Sequence, residues 1–444
     1  MVPEQPKTSA ALVAEVIDNG EVSSQQYVVV ALCMFFNMLD GFDITAMAVA
    51  ASSVAADLKL TTDKIGWIFS FALLGMMVGA MFLAPVADII GRRKMVIATV
   101  LIVGVSVLLT ANATSLTEFI ILRFISGLAA GAMLASQTAL TAEYSPEKYR
   151  ALSITVMVSG YPLGAMMTSV AASFIMPEFG WRGMFWFGGS ITFLMVVVAW
   201  AFIPESLKYL LERRPKDALI KANKVLERLS KGQLDVLPEI THDQAAGEAG
   251  VFDGMRKLVR EPHRNSTFVL WTTFFLCFCT LYFLMSWVPK LMENAGFSVE
   301  VGRKAFFLFN MGGVAGVFLL GVLSTRFYLS RLVSLFLAAS AVLMLVFAIL
   351  PGQETVLLVA ITFIGALMQG GFTALYAVAA KTYPTEIRST GIGWGIGLGR
   401  IGAVAGPAVA GYLLAAGFST ADNFLLFAIP LGLSSVSAYF LRVR

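Results

Sequence analysis

The sequence predicts an all-α membrane protein: twelve transmembrane helices in two six-helix, pseudo-symmetric bundles. Three observations lead there. With 58% hydrophobic and 14% charged residues and a mean hydropathy of +0.79, the chain lies outside the range of soluble domains. Its 444 residues divide into twelve apolar runs, most of them near the roughly 20 residues that cross the hydrocarbon as a helix. The two halves also repeat weakly, since Pro146/Pro384, Arg150/Arg388, Gly127/Gly365 and Gly164/Gly402 share one offset of 238 residues.

A polar, mildly amphipathic tail, residues 1–26, comes first and carries no pattern of a cleavable signal. The first bundle, 27–204, holds runs at about 27–54, 65–87, 95–112, 117–141, 151–175 and 183–203. A charged segment, 205–265, follows. Its Leu207, Leu210, Leu211, Leu219, Val225 and Leu229 recur at helical intervals, which predicts amphipathic helices lying along the membrane surface. The second bundle, 266–440, holds runs at about 266–292, 302–324, 332–350, 356–380, 390–415 and 422–440, and residues 441–444 close the chain.

Lys and Arg give the orientation. With both termini on one face, that face holds 24 of the 32, while Lys59, Lys64, Arg182, Lys290, Arg303 and Lys304 lie opposite and Arg123 and Arg400 lie within runs. Both termini are therefore expected in the cytoplasm. The net charge of +4 is spread between apolar runs and forms no nucleic-acid patch. Cys33, Cys277 and Cys279 fall in apolar runs and read as small packing residues, not as a disulfide framework or metal cluster. Neither a histidine cluster nor a serine elbow stands inside the runs, which argues against an intramembrane enzyme. Repeated halves point instead to a transporter whose site lies between them.

The chemistry starts in the first run, at Asn37-Met38-Leu39-Asp40-Gly41-Phe42-Asp43. A carboxylate at the centre of a spanning helix costs about 2.5–3.5 kcal/mol, so Asp40 and Asp43, sharing a helical face with Asn37, are expected to face water, a partner charge or a substrate. Two such charges repel at this spacing, which suits a reversible proton site. Arg123 opens the fourth run at a depth that allows an Asp–Arg pair, with Gly127 and Gly131 on its face for close helix approach. Arg400 lies deep in the eleventh run among Gly391, Gly393, Gly395, Gly397, Gly399 and Gly402. A guanidinium at that depth expects an anion, either the substrate or one of the two aspartates. Tyr161, Tyr282, Trp287, Asn310 and the stripe Gln369, Thr373, Tyr376 supply further candidate binding groups. At the terminal ends of the helices, Asp88, Arg92, Arg93, Glu143, Arg150 and Arg388 are candidate gate residues, with Glu143 placed beside Arg150.

The segment Ala84-Pro85-Val86-Ala87-Asp88-Ile89-Ile90-Gly91-Arg92-Arg93-Lys94 resembles the loop signature of the major facilitator superfamily, Gly-x-x-x-Asp-Arg-x-Gly-Arg-Arg/Lys, with Ala84 and Ile89 departing from it. The second-half counterpart has Thr325 where a carboxylate would stand. Several motifs look like those of the aromatic acid:proton symporters within that superfamily. They are Asp40-Gly41-Phe42-Asp43, Arg123-Phe124 with Gly127, Glu143-Tyr144-Ser145-Pro146, Gly160-Tyr161-Pro162-Leu163-Gly164, Pro204-Glu205-Ser206-Leu207, Ser286-Trp287-Val288-Pro289, Tyr383-Pro384-Thr385 with Arg388, and Gly393-Trp394 with Gly399-Arg400. One departure is Met133-Leu134-Ala135-Ser136, where many relatives carry Pro-Asn.

The resemblance implies proton-driven import of a hydroxybenzoate-like acid across a bacterial inner membrane by a monomer that needs no cofactor beyond the proton. Asp40 and Asp43 would then couple the proton, Arg123, Arg388 and Arg400 would serve transport or substrate charge, and Asp88 and Glu143 would serve the cytoplasmic gate. The alternatives are a drug:proton antiporter of the same fold and a symporter of a non-aromatic organic acid. The placement of Gly402-Ala403-Val404-Ala405-Gly406-Pro407 in the eleventh run, not the fifth, favours symport over the antiporter.

Overall fold

The computed structural model describes residues 8–18, 22–238, 256, 258–350, 352–383 and 385–441, with the side chains of residues 10, 11, 385, 386, 388 and 389 outside the description. Eleven segments are long and apolar enough to cross a membrane. One of them, Glu147–Phe202, breaks at Gly180, whose φ of 61° and ψ of −165° only glycine adopts readily. Beyond the break, Arg182 pairs with Asp57, while Trp200 meets Arg93 near the opposite end, so the chain crosses back and twelve spans result.

The spans are α1 (Ser24–Asp57), α2 (Thr62–Ile90), α3 (Arg92–Thr110), α4 (Leu116–Glu143), α5 (147–179), α6 (181–202), α7 (Arg264–Asn294), α8 (Val299–Leu323), α9 (Leu329–Ile349), α10 (Glu354–Thr382), α11 (Thr385–Ala415) and α12 (Thr420–Phe440). Serine caps begin several of them, as where Ser419 and Asp422 cap α12 reciprocally. Large apolar side chains such as Phe174, Leu194, Phe318 and Ile349 stand 64–79% exposed on the outer faces. An apolar exterior of this kind is stable against lipid and not against water.

The 238-residue offset reappears as equivalent contacts. A Cβ on Gly127 of α4 would lie 2.0 Å from Ala72 O of α2, and one on Gly365 of α10 would lie 2.0 Å from Phe309 O of α8. Gly164 of α5 approaches Met38 O of α1 to 1.9 Å in the same sense, and Gly402 of α11 approaches Phe275 O of α7 to 2.1 Å. Small residues let these backbones touch where hydrophobic expulsion by water is lacking.

α1–α6 and α7–α12 form the two halves. They meet at the ends remote from the chain termini, through α2 with α11, α5 with α8 and α1 with α7. There Ser70 donates to Val404 O at 2.7 Å, Phe69 packs edge-on against Trp287, Gly66 lies against Pro407 O, and Ser52 donates to Glu293. On the terminal side, the helices Leu207–Arg213 and Ala218–Arg228 bury Leu207, Leu210, Leu211, Val225 and Leu226 in a cluster with Val29, Cys33, Leu140 and Ile203 of the first half. The amphipathic face read from the sequence is thus spent on the first bundle.

Candidate functional site

α1 carries the acidic side of the site because its sequence puts Gly41 where α5 comes closest. A Cβ at that position would sit 2.2 Å from Tyr161 O, so the two helices touch there and Tyr161 lies beside Asp40. One turn earlier, the Asn37 amide donates to Met157 O and Val158 O at 3.1 and 3.0 Å. These carbonyls sit where the helix is interrupted around Ser159, and a buried backbone acceptor in a membrane must find such a donor.

The two aspartates have different surroundings. Asp43 accepts from Arg123 Nη2 at 2.8 Å, and Arg123 Nη1 also reaches Asp43 O at 3.2 Å. The pair is 3% and 1% exposed, and the guanidinium lies 5.2 Å from the Phe185 ring centroid. This is a direct, buried ion pair between α1 and α4, both in the first half. Asp40, 1% exposed, has neither carboxylate oxygen hydrogen-bonded. It lies within electrostatic reach of Asp43 on its own helix and of Arg400 on α11, in the other half.

Arg400 forms no ion pair among the described residues, and its buried Nε has no acceptor. Tyr161, Tyr282 and Tyr376 come within reach of it from α5, α7 and α10. Tyr282 stacks parallel to Phe278, while Tyr376 meets Phe274 and Phe372 edge-on. The Tyr161 hydroxyl is buried beside that of Tyr282. A buried carboxylate and a buried guanidinium, both short of partners and contributed by different halves, lie with buried phenols in a cluster that an anion and a proton can complete.

A family model described as Major Facilitator Superfamily matches residues 30–351 and 305–444. The chain belongs to the major facilitator superfamily. Within it the chain falls among the aromatic-acid permeases. It is 30% identical to the gallate transporter of Pseudomonas putida over 93% of this chain and 91% of that one. It is likewise 30% identical to the 4-hydroxybenzoate transporter PcaK of Acinetobacter baylyi over 95% and 92%. Among solved structures it resembles a D-xylose-proton symporter, with a TM-score of 0.72 at 14% identity over 94% and 98% of the two chains. It also resembles a bacterial homolog of the human lysosomal transporter Spinster, inward-facing and unoccupied, with a TM-score of 0.71 at 17% identity over 94% and 97%. It is a transporter and not an enzyme.

Five of the six expected gate residues, Asp88, Arg92, Arg93, Glu143 and Arg150, sit in the first half, and Arg388 lies on α11 of the second. Arg92 bridges Asp88 at 2.8 Å and Glu143 at 3.1 Å, which ties the α2–α3 turn to the end of α4. Beside this latch stands Glu205, to which the motif Pro204-Glu205-Ser206-Leu207 alone gives no role. Its carboxylate accepts from the backbone N–H of Arg93 and Ser206, and its carbonyl accepts from the Tyr144 hydroxyl at 2.6 Å. Tyr209, whose phenol is raised by burial and by the neighbouring Glu205 charge, stays protonated and donates to Ile89 O. The signal available was the position of Pro204-Glu205-Ser206-Leu207, directly after the sixth run.

Three placements correct the sequence reading. Glu143 does not pair with Arg150. It pairs with Arg92, while Arg150 bridges Asp18 in the N-terminal tail at 2.9 Å. Trp287 is fully buried in the seam between the halves, with its indole N–H on Pro407 O at 3.0 Å, and is not part of the cluster. Gln369 belongs to the α8–α10 contact, where it lies against Gly313 and donates to Phe309 O, while the buried Asn310 amide donates to Phe306 O of its own helix. The side chain of Arg388 lies outside the described residues.

Proposed function

We propose that this facilitator imports an aromatic carboxylic acid of the hydroxybenzoate kind together with a proton, working as a monomer in the bacterial inner membrane with both termini in the cytoplasm. The observation that carries the reading is the disposition of Asp40 and Arg400, two buried and unpaired opposite charges on different halves. One guanidinium serves two anions in turn. While Asp40 is ionised it holds the field of Arg400. When Asp40 takes a proton, the substrate carboxylate replaces it, and the ring rests among Tyr161, Tyr282 and Tyr376. The names of the relatives support an aromatic acid, and the 24 Lys and Arg on the terminal face support its cytoplasmic placement. In that orientation the halves are closed at the periplasmic ends and the site is released inward.

Uptake of labelled 4-hydroxybenzoate into proteoliposomes under an imposed inward pH gradient tests the reading. The expected result is accumulation that a protonophore abolishes. Uptake that survives collapse of the gradient overturns proton symport, and absence of uptake or binding for any benzoate overturns the substrate class.

A further inference from the structure

Gly393 and Gly397 are the two glycines of α11 whose added Cβ would meet nothing within 4 Å. The other glycines of that helix pack on something: Gly391 on Tyr383, Gly395 and Gly399 on Phe274 and Phe278, Gly402 and Gly406 on the α7 backbone, and Gly411 on α2. Positions 393, 397, 400 and 404 fall on one stripe of the helix. At Val404 that stripe receives the Ser70 hydroxyl of α2, and at Gly411 it lies against Gly66, so it faces the other half. Towards the chain termini the halves part, and the same stripe borders open space. At the head of that space stands Arg400, 9% exposed, with Nε unpartnered.

Helix packing does not account for glycine at positions that touch nothing, and glycine in a helix interior is a destabilising choice relative to alanine. We infer that Gly397, with Gly393 one turn further from Arg400, determines which ring this site accepts: the bare backbone is a slot against which the flat ring of an Arg400-bound carboxylate lies. This rests on the function proposed above and assigns the ring side of that site. A side chain at 397 fills the slot without disturbing the fold, because its Cβ points into empty space.

The test uses the full-length purified chain, with benzoate, 4-hydroxybenzoate and gallate as probes. Ligand-free thermal unfolding and equilibrium binding are compared for wild type, Gly397→Ala, Gly397→Leu, Gly393→Ala and Gly432→Ala. Gly432 of α12 is the control, since its Cβ also meets nothing but lies away from Arg400 in sequence and on another helix. Expected are melting temperatures at or above wild type for the alanine variants and unchanged affinity in Gly432→Ala. Gly397→Ala should lose about tenfold in affinity and Gly397→Leu more, the range one added carbon is worth in a fitted pocket. A folded Gly397→Leu that binds all three acids within twofold of wild type overturns the slot. If Gly397→Leu fails to fold, Gly397→Ala decides by the same criterion. Wild type that binds none of the three acids refutes the functional reading itself, and the slot with it.

Discussion

Asp40 and Asp43 stand three residues apart, yet replacing each by asparagine should have unequal effects on stability. Asp43→Asn leaves Arg123, 1% exposed and lying over the Phe185 ring, without a counter-charge. Removing one partner of a buried ion pair costs about 3–5 kcal/mol, and the asparagine carbonyl, still able to accept from Nη2, places this variant near the lower end, about 3 kcal/mol. Asp40→Asn replaces a carboxylate with both oxygens unpartnered by a neutral isostere. Its stability should stay within about 1 kcal/mol of wild type, because no hydrogen bond or direct ion pair is lost and the relief of carboxylate desolvation is set against the charge lost beside Arg400. The two variants therefore differ by about 2 kcal/mol or more, on the order of thirtyfold in the folded-to-unfolded ratio. Thermal unfolding of the purified chain in detergent without ligand reads this directly, and Arg123→Leu combined with Asp43→Asn should regain part of the loss. In proteoliposomes, Asp40→Asn should retain substrate exchange and lose gradient-driven accumulation. Equal destabilisation by the two single substitutions, or a double variant as unstable as the sum of its parts, would refute the assignment of distinct roles.

Other expectations follow from the seam and the latch. Trp287→Phe keeps the ring against Phe69 and loses the bond to Pro407 O, so the halves should part at the far side about fivefold more often, seen as longer spin-label distances between the far ends of α2 and α11. An unchanged distance distribution would remove Trp287 from the closure. Gly91→Ala places a side chain at φ 101° with its Cβ 2.3 Å from the Glu205 carboxylate. It should cost about 1–3 kcal/mol in thermal unfolding, and a neutral result would mean that the α2–α3 turn adapts freely. Gly164→Val drives a side chain into Met38 O, 1.9 Å from the Cβ, and should yield no monodisperse protein on size exclusion.

The membrane class, the twelve spans and the burial of Asp40, Asp43, Arg123 and Arg400 were legible because the hydrocarbon penalises charges and keeps them off the lipid face. The Asp43–Arg123 pair followed from depth along two helices. Trp287 did not, because span position says how deep a residue lies and not which seam its helix turns it towards. Glu143 and Arg150 are seven residues apart, but the turn at Ser145-Pro146 sends Arg150 to Asp18 in the tail, and Glu143 is left to a cation from the α2–α3 turn. Glu205 was hidden for a related reason: it bonds mainly backbone groups, which leave no complementary residue type in the sequence.

The two ends of the molecule are held by different chemistry, and this puts weight on the central charges. The far side is closed between the halves by hydroxyl, indole and glycine contacts. The ionic latch around Arg92, Asp88, Glu143 and Glu205 ties together parts of the first half alone, and in the second half Thr325 bonds to Val322 O of its own helix. That latch stiffens a bundle and does not join it to its partner. Asp40 and Arg400, by contrast, come from opposite halves, so the net charge between them acts on the closure itself. Two carboxylates held about 4 Å apart at an effective dielectric of 20 repel by about 4 kcal/mol. Under the proposed coupling, Arg400 offsets one of the two carboxylates, so a substrate anion beside an ionised Asp40 leaves one uncompensated charge buried in the cluster. One proton on Asp40 leaves Arg400 and the substrate carboxylate as a neutral pair, which is the condition for moving substrate and proton together.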